Sequence, residues 1–174
     1  MAEVMDEPRT RKLGAVGRMI EKLCQAMAIM AGAAFVIEML LSAVSVLMRM
    51  VIGRGIGGDF ELVQVLSAVG IALCLPYCQF HKGHVFVDFF TLWAPASLKR
   101  LLDAIGALLL ALSAFFLAWR IGDGMSELRE YGEASMVLNL PIWWGYVPVV
   151  LAFVMLGIAA LHTGYGELLG ERDE

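Results

Sequence analysis

The sequence predicts an all-α membrane protein with four transmembrane helices and both termini in the cytoplasm. Of its 174 residues, 60% are hydrophobic and only 17% are charged, and the mean hydropathy is +0.76. A soluble domain usually has about 25% charged residues. The charges also fall in short clusters between long apolar runs. This distribution does not indicate one large core of a soluble protein.

Four apolar windows are long enough to cross a bilayer, which needs about 20 mostly apolar residues. They cover residues 23–48, 62–80, 101–121 and 142–161. They form a transmembrane domain over 23–161, with a cytoplasmic arm (1–22) before it and an acidic cytoplasmic tail (162–174) after it. The first window exceeds the roughly 7–15 apolar residues of a signal peptide, so we expect it to be a retained span.

The distribution of lysine and arginine predicts the orientation, because cytoplasmic loops are enriched in these residues. Nine of them lie in the arm, in the 81–100 loop and in the tail. The connections on the other side hold four, which are Arg49, Arg54, Arg120 and Arg129. Both termini are therefore expected on the cytoplasmic side.

The arm predicts a basic amphipathic helix that lies on the inner leaflet, or packs on a partner, before the chain turns into the first span. Apolar residues recur there at spacings of three and four, with basic residues between them. The apolar face comprises Leu13, Val16, Ile20, Leu23 and Met27.

The first span contains one acidic residue, Glu38, near its middle. A central acid costs about 2.5–3.5 kcal/mol, and each surrounding Leu, Ile, Phe or Val returns about 0.3–0.6 kcal/mol, so the span still inserts. Glu38 must then face protein or water. A hydrogen bond to another helix, in this chain or in a partner, a proton relay, and a shifted span that brings Glu38 towards an interface all remain open.

The second span is preceded by charges at the outer boundary. Glu61 lies close to Arg54 and Asp59 in the sequence, at a helix N-terminus where the helix dipole favours an acid. After this span, the segment "HVFVDFFTLWAPASLKR" places aromatic residues between charges. It is expected to lie at the cytoplasmic interface or on a partner and to end as a helix at Pro95, before the third span.

The third span has small residues at spacings of three and four, which predicts a smooth face for close helix packing. The opposite side carries leucine and phenylalanine and suits lipid. The small face comprises Ala104, Ala107, Ala111, Ala114, Ala118 and Gly122.

Aromatic residues open the fourth span, after Pro141, which suits the first turn of a helix. Trp143, Trp144 and Tyr146 are expected at headgroup depth, where amphipathic rings are favoured. An anchoring collar explains these rings, but it does not explain Asn139 or Pro148.

The sequence lacks a convincing catalytic or cofactor motif. The three histidines, His81, His84 and His162, fall at the predicted cytoplasmic ends of spans, whereas a haem pair needs histidines on facing helices at matched depth. A metal site built from the histidines with Asp88 has no further ligands at suitable spacing. We therefore expect no enzyme activity, no cofactor, no metal and no nucleic-acid partner.

Four motifs, in their order along the chain, resemble the small membrane subunit (DctQ type) of tripartite ATP-independent periplasmic, or TRAP, transporters. They are the four spans with inside termini, "GDFELVQVL" at the second span, "HKGHVFVDFF" after it, and "LNLPIWWGYVPVVL" at the fourth. The resemblance covers roughly residues 23–161. It places His84 and Asp88 in the inner-loop motif of the family, where a hydrogen bond that fixes the loop and a partner contact are both open.

The resemblance implies a bacterial or archaeal inner-membrane protein in a sodium-coupled uptake system for an organic acid or a similar solute. Its implied partners are a large, many-spanned membrane subunit, a periplasmic solute-binding protein and membrane lipids. The chain would scaffold the large subunit and help to dock the binding protein. Candidate partner-contact residues are Glu38, Arg49, Arg54, Glu61, Trp143, Trp144 and Tyr146.

Two other functions remain open from the sequence. One is a haem-binding electron-transfer subunit, and the other is a small oligomeric transporter that needs no partner.

Overall fold

The computed structural model describes residues 15–81 and 96–168 of the chain. Within these ranges it has four α-helices: α1 (Ala15–Ile52), α2 (Asp59–Phe80), α3 (Ala96–Glu130) and α4 (Trp143–Leu168). Each is long and apolar enough to cross a membrane. The prediction of an all-helical chain with four helices able to span a membrane is therefore confirmed for the described residues.

α1 is one continuous helix, so residues 15–22 of the predicted arm form its first turns. Ile20 and Cys24 are buried there and pack against Phe80 of α2 and Ala159 of α4. The expected turn between the arm and the span is absent from residues 15–52, because these apolar side chains continue the packing of the bundle. Residues 1–14, with Leu13 of the predicted amphipathic face, lie outside the described residues.

The helices pack in the order α1, α2, α4, α3. α2 contacts α1 and α4, and α3 packs on α4; α1 has a small contact with α4. In the described ranges, α3 contacts neither α1 nor α2. α1 and α3 are therefore the peripheral helices, and most of their apolar side chains are exposed at the surface of the chain.

The contacts also give the directions of the helices. Glu38 of α1 bonds Ser67 of α2, while Ser45, later in α1, bonds Asp59, earlier in α2, so these two helices are antiparallel. Gly157 of α4 lies against Phe115 of α3, and Gly164, later in α4, lies against Ala107, earlier in α3. α3 and α4 are therefore antiparallel as well.

Small residues bring the central helices close together. One core cluster contains Ala31 of α1, Ala72 and Leu73 of α2, and Ala152 of α4, all nearly inaccessible. Two phenylalanine rings lie directly on glycines of the neighbouring helix, namely Phe35 on Gly70 and Phe115 on Gly157. Membrane helices gain van der Waals contact in this way, because lipid provides no hydrophobic driving force between them.

Glycines with positive φ end two of the helices. α1 is followed by Gly53 with a φ of 76° and α3 by Gly132 with a φ of 65°. After α3, the amide of Glu133 donates to the carbonyl of Leu128 at 3.1 Å, which is the bond of a Schellman motif. Both glycines allow the chain to leave the helix axis sharply.

The fourth helix begins at Trp143, one residue after the predicted start of the fourth span. Pro141 does not lie in its first turn, because α4 begins at Trp143 and Pro141 instead pairs with Ala134 in an isolated antiparallel bridge. The Pro141 carbonyl accepts a hydrogen bond from the Trp144 amide at 3.3 Å. Residues 133–142 thus form a compact connection between α3 and α4, which we call the outer hairpin.

Candidate functional site

The α1–α2 turn and the outer hairpin lie at the same end of the bundle, because the helices alternate in direction. This end, which we call the loop end, brings together several of the polar residues that the sequence suggested. They come from α1, from the first turn of α2 and from the hairpin.

Asp59, the first residue of α2, connects α2 to α1. Its carboxylate accepts a hydrogen bond from the buried hydroxyl of Ser45 and lies 3.6 Å from the guanidinium of Arg49. The Ser45 oxygen also accepts the Ile56 amide at 3.3 Å. Exposed ion pairs contribute little stability, so the buried hydroxyl is the more important of the two contacts. Arg54 is exposed in the same turn.

The outer hairpin is held by its own backbone. The Ser135 amide donates to the Leu140 carbonyl at 2.9 Å, the Asn139 amide to the Ser135 carbonyl at 3.2 Å, and the Ile142 amide to the Glu133 carbonyl at 3.2 Å. Asn139 has a φ of 52°, which asparagine tolerates better than most residues. The turn therefore explains Asn139, which the aromatic collar left unexplained.

Glu61 fixes the tip of the hairpin to α2. Its two carboxylate oxygens accept the amides of Val137 at 3.0 Å and Leu138 at 3.2 Å, and the Ser135 hydroxyl donates to it as well. The Leu138 side chain also lies against Gly58, and Val137 lies near Gly57. A carboxylate that accepts several donors is an effective anchor, because charge-assisted hydrogen bonds are stronger than neutral ones.

The aromatic residues at the start of α4 have different surroundings. Arg129 lies over the ring of Trp143, with its guanidinium carbon 5.4 Å from the centroid, and Trp143 packs edge-on against Trp144 at 6.0 Å. Trp144 is largely exposed, whereas Trp143 and Tyr146 are half-buried. Trp144 is thus the ring of this group that is most accessible to lipid or a partner.

Glu38 is engaged within the chain. Its Oε1 accepts a hydrogen bond from the Ser67 hydroxyl at 2.7 Å, and its Oε2 is buried without a hydrogen-bond partner among the described residues. The contact joins the middle of α1 to the middle of α2. It therefore contributes to the packing of these two helices.

Replacing Ser67 with alanine is expected to destabilise the protein by about 1–2 kcal/mol, because it leaves both oxygens of a half-buried carboxyl without a donor. The double variant Ser67→Ala with Glu38→Met removes both partners and is expected to recover most of that loss. Thermal unfolding of the purified protein in nanodiscs measures the difference. The single variant Glu38→Met completes the comparison. If the loss of stability in the double variant equalled the sum of the losses in the two single variants, the hydrogen bond would not stabilise the bundle.

Most of the small residues of α3 face α4. Ala104, Ala111, Ala114 and Ala118 are buried, and Ala107 lies against Gly164. At Gly122, at the end of the predicted stripe, nothing lies within 4 Å of the position that a Cβ would take. On the other side of α3, leucines and Phe116 are exposed.

The predicted loop residues His84 and Asp88 lie outside the described residues, as does most of the aromatic inner segment. Within residues 15–81 and 96–168, no group of three or more His, Cys, Asp or Glu side chains is arranged to hold a metal ion. His81 packs on Tyr77, with ring centroids 4.2 Å apart, and His162 stacks on Phe80.

Sequence reasoning missed the partners of the acidic residues. It singled out Glu61 and Glu38 but not Ser135 or Ser67, and it did not identify the hairpin. The available signal for the hairpin was its turn-favouring residues, Gly132, Asn139 and Pro141. No local pattern indicates that a glutamate 76 residues earlier binds this turn.

Comparison with known proteins gives one match. A family model described as "Tripartite ATP-independent periplasmic transporters, DctQ component" matches residues 38–168, well over half of the chain. Searches of curated proteins and of solved structures found no match. The matched region includes the last 15 of the 38 residues of α1 and all residues of the loop end.

Proposed function

Because the chain belongs to the DctQ family, the small membrane component of TRAP transporters, we propose that it is a non-catalytic scaffold for a large transport subunit. The hydrogen bond between Glu38 and Ser67 supports this role. Because the acid in the middle of α1 is bonded within the chain, helix packing explains its presence without a solute pathway. The large subunit would then hold the sodium and solute sites.

The arrangement of the helices supports the scaffold role. α1 and α3 each have one main neighbour in the chain and expose long apolar surfaces. In a membrane such surfaces contact lipid or another membrane protein. A layer of helices with two free edges gives a large subunit a broad area to bind, and the close packing of Ala104, Ala111, Ala114 and Ala118 on α4 keeps the layer rigid.

We further propose an inner-membrane location with both termini in the cytoplasm. The distribution of lysine and arginine supports this orientation. The loop end would then face the periplasm, where a solute-binding protein delivers its solute. We also propose uptake of an organic acid or a similar solute driven by a sodium gradient, with both sites in the large subunit, as the family resemblance implies.

The loop end leaves three of the predicted partner-contact residues accessible. Arg49, Arg54 and Trp144 are exposed, although Arg49 also faces Asp59, whereas Glu61 and Glu38 bond within the chain. The three exposed residues are therefore the better candidates for partner contact. His84 and Asp88 remain candidates for the inner loop.

Co-expression with the large subunit tests the scaffold role. The chain is expected to co-purify with that subunit, to transport nothing when reconstituted alone, and to be required for sodium-driven uptake by the complete system. Uptake by the isolated chain would instead support a self-sufficient transporter. A Soret absorbance band in the purified chain would support a haem-binding electron-transfer subunit.

A further inference from the structure

The contacts between the helices show which residues of the two peripheral helices lie at the same height in the bundle. Phe115 of α3 lies against Gly157 of the antiparallel α4. Moving five residues along each helix from this contact shows that Arg120 is level with Ala152. Ala152 in turn packs with Ala31 of α1 in a core cluster. Arg120 and Ala31 therefore lie at about the same height, near the middle of the bundle.

On α3, the exposed apolar surface ends at this height. The exposed large apolar side chains of the helix run from Leu102 to Trp119, and charged side chains follow towards the loop end. Arg120 pairs with Asp123 at 3.5 Å, and their side chains are 62% and 43% exposed. Glu127 is exposed one turn further along the same side. Charged side chains within a membrane face protein or water, and a side chain as short as that of Asp123 cannot snorkel far to reach water.

On α1, the exposed apolar surface continues to the last residue of the helix. Met50, Val51 and Ile52 are 79%, 83% and 65% exposed. Ile52 lies 21 residues after Ala31, which corresponds to roughly 30 Å along a helix. The apolar surface of α1 therefore reaches much further towards the loop end than the apolar surface of α3.

The opposite end of the bundle shows the reverse mismatch. On α1, the charged side chain of Lys22 is exposed in the segment that packs on Ala159 of α4. On α3, Ile105 is still exposed, and the register of α3 on α4 places it roughly 12 Å further from the loop end than Ala159. Here the apolar surface of α3 extends beyond that of α1.

An upright orientation of the helix layer in a bilayer would suit neither peripheral helix. The end of α1 would carry apolar side chains into water, while the charged half of α3 would lie in hydrocarbon. A single rotation in the plane of the layer reduces both mismatches, because α1 and α3 form its two edges. Membrane helices commonly accommodate long apolar stretches by tilting, over a range of about 0–40°.

We propose that the lipid-contacting belt of this chain runs obliquely across the helix layer, so that the layer is tilted by about 30–40° in the bilayer. Lipid covers Met50, Val51 and Ile52 of α1, and the segment of α3 from Arg120 to Glu130 faces water. The end of α3 and the outer hairpin then project further from the bilayer than the α1–α2 turn does.

The size of the displacement follows from the width of the layer. Two to three interaxial distances of about 8–10 Å separate α1 from α3, so the tilt displaces one helix relative to the other by roughly 8–20 Å along the membrane normal. This orientation requires only that the four helices span a bilayer, and it does not depend on the scaffold role.

The depths of spin labels at matched positions test the tilt. Single cysteines are introduced into the full-length chain after its own three cysteines have been replaced by alanine, and the labelled protein is placed in nanodiscs without a partner. Collision of each label with oxygen and with a water-soluble nickel chelate gives its depth in the bilayer. Thermal unfolding confirms that each variant is folded.

The first pair of positions is Ser126→Cys on α3 and Met39→Cys on α1, which are both exposed. Ser126 is level with the first turns of α4, where Gly145 lies against Val65 of α2. Met39 follows Glu38, which bonds α2 two residues after Val65. The two positions therefore have the same depth if the layer is upright.

The second pair lies towards the opposite end and consists of Leu112→Cys on α3 and Leu23→Cys on α1, which are also exposed. Leu112 is level with the residue after Ala159 in the register of α3 on α4. Leu23 precedes Cys24, which packs in one cluster with Ala159. An upright layer again gives the two positions the same depth.

The tilted layer predicts a difference in each pair, with opposite senses. The label at Ser126 is expected to lie roughly 8–20 Å nearer the loop-end surface than the label at Met39. The label at Leu23 is expected to lie nearer the opposite surface than the label at Leu112, by a similar distance. Polarised infrared spectroscopy of the unaltered chain in oriented bilayers is expected to give a mean helix tilt of about 30–40°.

Equal depths within the two pairs would overturn the proposal, and so would differences in the reverse sense. A label at Ser126 that neither oxygen nor the chelate reaches would assign this face of α3 to protein packing, against the proposal. A mean helix tilt below about 20°, the average for membrane helices, would contradict it without any substitution. Failure of the scaffold role would leave all these results unchanged, because no partner is present.

Discussion

Replacing Gly58 with alanine is expected to displace the outer hairpin and to lower the thermal stability of the protein. Gly58 has a φ of 80°, and a left-handed conformation costs a residue with a Cβ roughly 1–2 kcal/mol. A Cβ at this position would also lie 2.5 Å from the Cγ of Leu138. Leu138 must therefore move, and the bonds from Glu61 to the Val137 and Leu138 amides must lengthen.

Gly53→Ala is a matched control for this change. Gly53 has a similar φ of 76°, but nothing lies within 4 Å of the position of its Cβ. The control has the cost of the backbone conformation without the collision. Unfolding temperature and hydrogen exchange at the Val137 and Leu138 amides measure both effects. Similar exchange rates in the two variants would show that contact with Gly58 does not position the hairpin.

Replacing Gly157 with leucine is expected to separate α3 from α4 and to destabilise the protein by about 1–3 kcal/mol, as is typical of overpacking. A Cβ on Gly157 would lie 2.7 Å from the ring of Phe115, so the ring or the helix must move. α4 is the only helix that α3 contacts in the described part of the chain. A disturbance here therefore affects the whole attachment of α3.

Two further variants make this expectation specific. Gly106→Leu adds the same side chain to α3 where nothing lies within 4 Å of the new Cβ, so it is expected to have little effect. Phe115→Ala combined with Gly157→Leu is expected to be more stable than Gly157→Leu alone, because the ring no longer occupies the space. Unfolding of the four proteins in nanodiscs measures these differences. If Gly106→Leu were as damaging as Gly157→Leu, the packing of Phe115 on Gly157 would not explain the loss.

The candidate site was predictable only in part. Glu61 and Arg54 stood out because charges at the end of an apolar window are easy to recognise. The bond from Glu61 to the hairpin did not stand out, because its donors are backbone amides that every residue except proline carries. The collar interpretation of Trp143 and Trp144 likewise could not indicate that Arg129 lies over one ring and leaves the other exposed.

Two features of the helices show the limit of local reasoning. α1 continues from residue 15 into the first span without a break, and Pro141 precedes the first turn of α4 rather than lying in it. Contacts explain both, since Ile20 and Cys24 pack against two other helices and Pro141 pairs with Ala134. Each of these partners lies elsewhere in the sequence.

The sequence alone determined that four apolar helices form and are long enough to cross a membrane. These properties depend on the hydrophobicity and spacing of neighbouring residues, which any single window contains. Only the tertiary structure decided that α4 lies between α2 and α3, that Ser67 bonds Glu38, and that Glu61 anchors the outer hairpin. The physical reason is that these contacts require complementary shapes and hydrogen-bond partners on segments far apart in the chain, and the sequence of neither segment specifies the other.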